Sequence, residues 1–142
     1  MKELIKELVE AFGPSGYEDQ VRALIQEKAA THADDLRTDN LGNLIVLKKG
    51  SGEGKRIMIS AHMDEIGLVV SYIDQKGFAR IGNVGGLALA TLTGGRARFA
   101  NGSIGVIYNE KDAWKGPEAL SDCFVDTGAS SPQDSPVKVG DV

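Results

Sequence analysis

The stretch Arg56-Ile57-Met58-Ile59-Ser60-Ala61-His62-Met63-Asp64-Glu65-Ile66-Gly67 decides how this chain is read. Its apolar run predicts a buried strand over Arg56 to Ala61 that stops at His62. A carboxylate follows two residues later. Side chains alternate along a strand, so His62 and Asp64 share a face if the strand continues. A histidine that binds a metal usually donates its other ring N–H to a carboxylate, which fixes the tautomer. In an open α/β sheet, ligand sites lie beyond the carboxyl ends of the strands, where His62 falls. A half-buried histidine hydrogen-bonded to a nearby acid also satisfies a bare H-x-D pattern. The spacing by itself leaves both readings open.

Upstream, Leu4, Ile5, Leu8, Val9 and Phe12 recur at helical spacing, which predicts an amphipathic helix over residues 2–12. Gly13-Pro14 stops it. Ser15-Gly16-Tyr17-Glu18 matches a capping box, with a second helix running to about residue 32. Asp39 to Asn43 reads as a turn and Leu44 to Leu47 as a strand. Gly50 to Gly54 reads as a hairpin that returns the chain to Arg56 to Ala61. Lys49 and Arg56 break the pattern of a phosphate-binding loop, and a strand follows where that loop needs a helix.

Beyond Gly67 helical periodicity ends. Short strands are predicted at Leu68 to Ile73, Phe78 to Ile81, Arg96 to Phe99, Ile104 to Tyr108 and Cys123 to Val125. Asn101-Gly102 is a strong hairpin signal between two of them. The reading is a small β domain or barrel attached to a helix-and-strand unit.

Composition narrows the function. The 142 residues suit one domain, or one with a second small one. The net charge of −4 argues against nucleic acid as a partner. No stretch approaches the roughly 20 apolar residues that span a bilayer. The charged start Met1-Lys2-Glu3 is not a signal peptide, and the single cysteine, Cys123, excludes an internal disulfide. A cytoplasmic protein is expected. Cys123 sits beside Phe124 and Val125 and reads as a buried structural thiol. His32 suits a helix end. Trp114 stands in a polar segment and reads either as a local packing residue or as an interface residue.

Several ordered blocks then resemble one family. These are Gly13-Pro14-Ser15-Gly16-Tyr17-Glu18, Asp39-Asn40-Leu41-Gly42-Asn43-Leu44-Ile45, Ala61 to Gly67, Val84-Gly85-Gly86, Val125 to Ser130 and Val139-Gly140-Asp141. Together they resemble the N-terminal part of the M42 metallo-aminopeptidases, a group that includes glutamyl and deblocking aminopeptidases. The resemblance implies an α/β fold: residues 1–66 as the N-terminal segment of a zinc-peptidase-like α/β sandwich, the catalytic domain. Residues 67–142 would form an inserted, incomplete β-barrel-like domain used for assembly. It implies two divalent metal ions, zinc or cobalt, with peptides as substrates and a homo-oligomer built through the β domain. His62 would be a terminal metal ligand and Asp64 the acid that orients it. The blocks at Gly13 to Glu18 and Asp39 to Ile45 carry no catalytic role in this reading.

The family's bridging aspartate, adjacent glutamate pair, further acidic ligand and second histidine come later in the chain than Val142. A catalytic metal site takes at least three protein ligands. The expectation is therefore a portion of a dinuclear aminopeptidase, inactive by itself and binding no metal tightly. The sheet edge and apolar face of the first segment would be left uncovered, so the β region should be the better ordered part, or another copy should cover that face. Two alternatives are a non-catalytic assembly or binding module, and a glycoside hydrolase, since some relatives carry an endoglucanase label. The latter needs two carboxylates across a cleft, usually lined with aromatics. Aromatics are 6% of this chain and no paired-acid motif stands out.

Overall fold

The computed structural model describes residues 1–111 and 116–142. Trp114 lies outside the described residues. The chain divides into two compact units, Met1–Glu65 and Ile66–Val142.

The first unit begins with α1 (Lys2–Glu10), whose apolar stripe follows the predicted spacing. An extended Ala11 ends it ahead of Gly13-Pro14. Helix α2 (Asp19–Ala30) packs against it through buried Val21, and Lys28 Nζ meets Glu7 Oε2 at 2.6 Å. Phe12 is buried with Val21. Two strands follow, β1 (Asp35–Thr38) and β2 (Leu44–Leu47), paired antiparallel with Asp35 opposite Leu47 and Thr38 opposite Leu44. The Asp39 to Asn43 turn joins them. Its Asp39 carboxylate accepts from the Leu41 N–H, the Asn43 N–H and the Asn43 amide, each at 2.9 Å. Those donors, the Asn43 side chain foremost, hold the Asp39 carboxyl below the usual carboxylate range.

Here the structure corrects the sequence reading twice. Arg56 to Ala61 does not form a strand, and Gly50 to Gly54 is not a hairpin turn: β2 pairs with β1, a polar strand whose lone leucine gave no periodic signal. Ile57, Met58 and Ile59 are 86%, 89% and 92% exposed. A run of consecutive apolar residues suits a strand covered on both faces and hydrogen-bonded on both edges. Among the described residues no strand pairs with it. The second correction is the capping box. Glu18 is the N-cap of α2 without a side-chain cap bond. Its carboxylate accepts instead from the Gly16 N–H at 2.6 Å, and the Ser15 hydroxyl is used elsewhere.

The second unit follows the sequence reading closely. Strands β3 (Gly67–Ile73), β4 (Ala79–Val84), β5 (Arg96–Arg98), β6 (Ile104–Asn109) and β7 (Cys123–Asp126) form an antiparallel sheet in the order β3-β4-β7-β6-β5. The Asn101-Gly102 hairpin forms as expected, with Gly102 at φ +86 and its N–H bonded to the Phe99 carbonyl at 2.8 Å. One face buries Val70, Ala79, Ile81, Phe99, Ile107, Cys123, Val125 and Val137. The last residues connect the two sides of the sheet. Val70 bonds Asp141 and Gly140 at 2.8 Å, and the Ala100 N–H bonds the Val142 carbonyl at 2.8 Å. That link satisfies part of the β3 edge and gives the unit its barrel-like character. On the outer side, Arg80 sits over the Phe124 ring and bridges Asp74 and Glu110 at 2.7 and 2.6 Å.

Burial therefore differs sharply between two isoleucines, one at 5% and one at 92% exposure. Ile107→Ala should cost about 2–5 kcal/mol of stability, and Ile59→Ala no more than about 0.5 kcal/mol. Urea denaturation of each variant measures both.

Candidate metal-ligand site

The site is assembled from two segments far apart in sequence. Gly13-Pro14-Ser15 leaves α1 extended and runs parallel to the segment ending at Glu65, with a bridge between Pro14 and Glu65. The Glu65 N–H donates to the Gly13 carbonyl at 2.8 Å, and the Ser15 N–H donates to the Glu65 carbonyl at 3.3 Å. The Glu65 carboxylate turns back and accepts from the Gly13 N–H at 3.1 Å. Gly13 is required by close approach: a Cβ there would lie 2.6 Å from Val21 Cγ1.

This pairing places Asp64 between His62 and Ser15. His62 Nδ1 is 3.0 Å from Asp64 Oδ1 and 3.0 Å from the Asp64 carbonyl oxygen. Both partners only accept, so neutral His62 carries its proton on Nδ1 and keeps the lone pair on Nε2. The other carboxylate oxygen, Asp64 Oδ2, accepts from the Ser15 hydroxyl. The Ser15 bond, and then the His62 bond, hold the Asp64 carboxyl below the usual range. His62 is 86% exposed and Asp64 37%. His62, Met63 and Asp64 line two hollows of about 260 and 140 Å³, one floored by Leu8, Val21 and Ile25, the other by Leu41 and Asn43.

His62 and Asp64 are thus brought together, though not through a shared strand face. The segment is irregular, and the imidazole folds back onto its neighbour's carbonyl and carboxylate. His32 follows the end of α2, its N–H bonded to the Ala29 carbonyl at 2.9 Å. Cys123 is buried on β7, and burial, followed by the charge of Asp122, pushes its thiol up. It is a packing residue, as expected. Sequence reasoning missed Ser15, which it assigned to a helix cap, and Glu65, which it assigned no contact. The signal for either is a pairing across about 50 residues, invisible to local spacing.

A lone imidazole with its Nδ1 on a carboxylate fits one position of a metal site. Among the described residues no group of three or more His, Cys, Asp or Glu is gathered where an ion could be held.

The family model for M42 glutamyl aminopeptidases matches residues 42–142. The chain belongs to that family. It is 35% identical to the lysyl aminopeptidase of Pyrococcus furiosus, over 94% of this chain and 41% of that protein. Among solved structures, the TET aminopeptidase of the Thaumarchaeota archaeon SCGC AB-539-E09 superposes with a TM-score of 0.87 at 36% identity, over 99% of this chain and 43% of the other. The Pyrococcus horikoshii TET1 peptidase, which assembles into a tetrahedron or a large octahedral shell, superposes with a TM-score of 0.80 at 33% identity, covering 98% and 44%. A Thermotoga maritima protein described as an endoglucanase matches with a TM-score of 0.83 at 38% identity, covering 96% and 42%. The chain spans less than half the length of each of these proteins.

The close approach at Gly13 is directly testable. Gly13→Ala should destabilise the first unit by about 1–3 kcal/mol, with loss of amide protection at Glu65. Gly50→Ala, where a Cβ meets nothing within 4 Å, should stay within about 0.5 kcal/mol of the parent. Denaturation with hydrogen exchange reads both.

Proposed function

We propose that this chain is the N-terminal portion of a dinuclear metal-dependent aminopeptidase that releases N-terminal amino acids from peptides. The observation that carries the proposal is the imidazole of His62, whose Nδ1 is held by the Asp64 carboxylate so that Nε2 keeps its lone pair, in a chain of the M42 family. Residues 1–66 belong to the catalytic domain and residues 67–142 to an inserted β domain that mediates homo-oligomerisation. The assembly of the Pyrococcus horikoshii relative supports that last point.

In this reading His62 Nε2 is a terminal ligand to one of two divalent ions, zinc or cobalt, and Asp64 fixes its ring. Such ions lower the pKa of a bound water and polarise the scissile carbonyl. The described residues supply one ligand where a catalytic site takes at least three, so this chain by itself is inactive. No described helix is long and apolar enough to cross a membrane. A cytoplasmic location fits the lone cysteine.

The endoglucanase reading draws on the names of two structural relatives. Glycoside hydrolysis needs two carboxylates placed across a cleft. Here Asp64 is engaged by His62 and Ser15, and Glu65 by Gly13.

The proposal is tested with chromogenic aminoacyl substrates and added zinc or cobalt. This chain alone should give no turnover above a metal blank. The complete protein should turn over, and lose activity about 10–100-fold on Asp64→Asn and more on His62→Ala. Turnover by this chain alone, or a complete enzyme indifferent to His62→Ala, would overturn it.

A further inference from the structure

We propose that Ser15 is a positioning residue for the His62 site: its hydroxyl holds the outer carboxylate oxygen of Asp64, so that the inner oxygen stays aligned on His62 Nδ1. The inference rests on the reading of His62 as a metal ligand and adds a third member to the chain that orients it.

A carboxylate on an exposed, irregular segment rotates freely about its terminal torsion unless both oxygens are bound. Asp64 is bound on both sides. Oδ1 faces His62 Nδ1 at 3.0 Å, and Oδ2 accepts from the Ser15 hydroxyl. Ser15 is itself anchored, because its N–H bonds the Glu65 carbonyl and its segment bonds the Glu65 backbone and carboxylate. The hydroxyl therefore approaches from a position fixed by three neighbouring hydrogen bonds. Hydrogen bonds to an ionised acceptor are among the stronger ones. A serine used only as a helix cap would bond the α2 backbone, yet α2 has no side-chain cap bond. The Asp64 carbonyl also accepts from His62 Nδ1 at 3.0 Å. Loss of Ser15 should consequently weaken the ring's orientation without abolishing it.

The test is ¹⁵N NMR of the ring nitrogens in the 142-residue chain, at a pH where histidine is neutral. His32→Gln assigns the two histidines. In the parent, His62 should populate the Nδ1–H tautomer in excess over the Nε2–H form that free imidazole favours. Ser15→Ala should lower the Nδ1–H to Nε2–H ratio by roughly threefold or more, and the Asp64 side-chain couplings should move towards rotamer averaging. Ser15→Thr, which keeps the hydroxyl, should restore both. A ratio unchanged in Ser15→Ala, with the backbone spectrum intact, overturns the role of Ser15. Asp64→Asn separates the two claims. A ratio that falls in Asp64→Asn but not in Ser15→Ala leaves the Asp64 reading standing and removes Ser15 from it. A ratio unchanged in both removes the Asp64 reading as well. If Ser15→Ala disturbs the fold, the Ser15→Thr variant decides: a folded Ser15→Thr with the free-imidazole ratio also overturns the proposal.

Discussion

Three hydrogen bonds between Glu65 and the Gly13–Ser15 segment set the position of everything chemical in the first unit. They lay the exit of α1 alongside the chain at Asp64, and only then can one carboxylate meet a serine on one side and an imidazole on the other. The approach is close enough that Gly13 has no room for a side chain beside Val21. Removing the pairing would leave His62 and Asp64 as an exposed dipeptide-scale contact with nothing to hold its direction. A ligand's orientation is set as much by the groups behind it as by the ligand itself.

What the sequence revealed follows a physical divide between local and distant causes. The helices, the Asp39 to Asn43 turn, the Asn101-Gly102 hairpin and strands β3 to β7 were legible. Their signals are periodicity and turn chemistry, which act over a few residues. β1 was not legible, since Asp35-Leu36-Arg37-Thr38 is mostly polar and becomes a strand because the turn brings it to β2. The Arg56 to Ala61 run failed in the opposite way. Its composition is that of a covered strand, but a strand exists only where other strands complete its hydrogen bonds. His62 and Asp64 were legible as candidates from spacing and from family resemblance. Ser15 was not, because the same residues at Ser15 and Glu18 satisfy a local capping pattern, and the bond that wins is made to a residue on a distant segment.

The exposed Ile57-Met58-Ile59 and the single imidazole have a common bearing. One is apolar surface with the character of a covered strand, the other an imidazole with fewer acidic, cysteine or histidine companions, among the described residues, than a metal site requires. The matched relatives are more than twice as long as this chain. The second unit, by contrast, has its own buried core and a linked sheet edge.

The central claim is that this chain holds the first ligand of a metal site, correctly oriented, without the rest. Isothermal titration of zinc into the parent chain and into His62→Ala tests it most directly. Weak binding, with Kd above about 10 μM and diminished by His62→Ala, is the expected result, because a single imidazole cannot match a three-ligand site. Tight one-to-one binding that disappears in His62→Ala would contradict the claim.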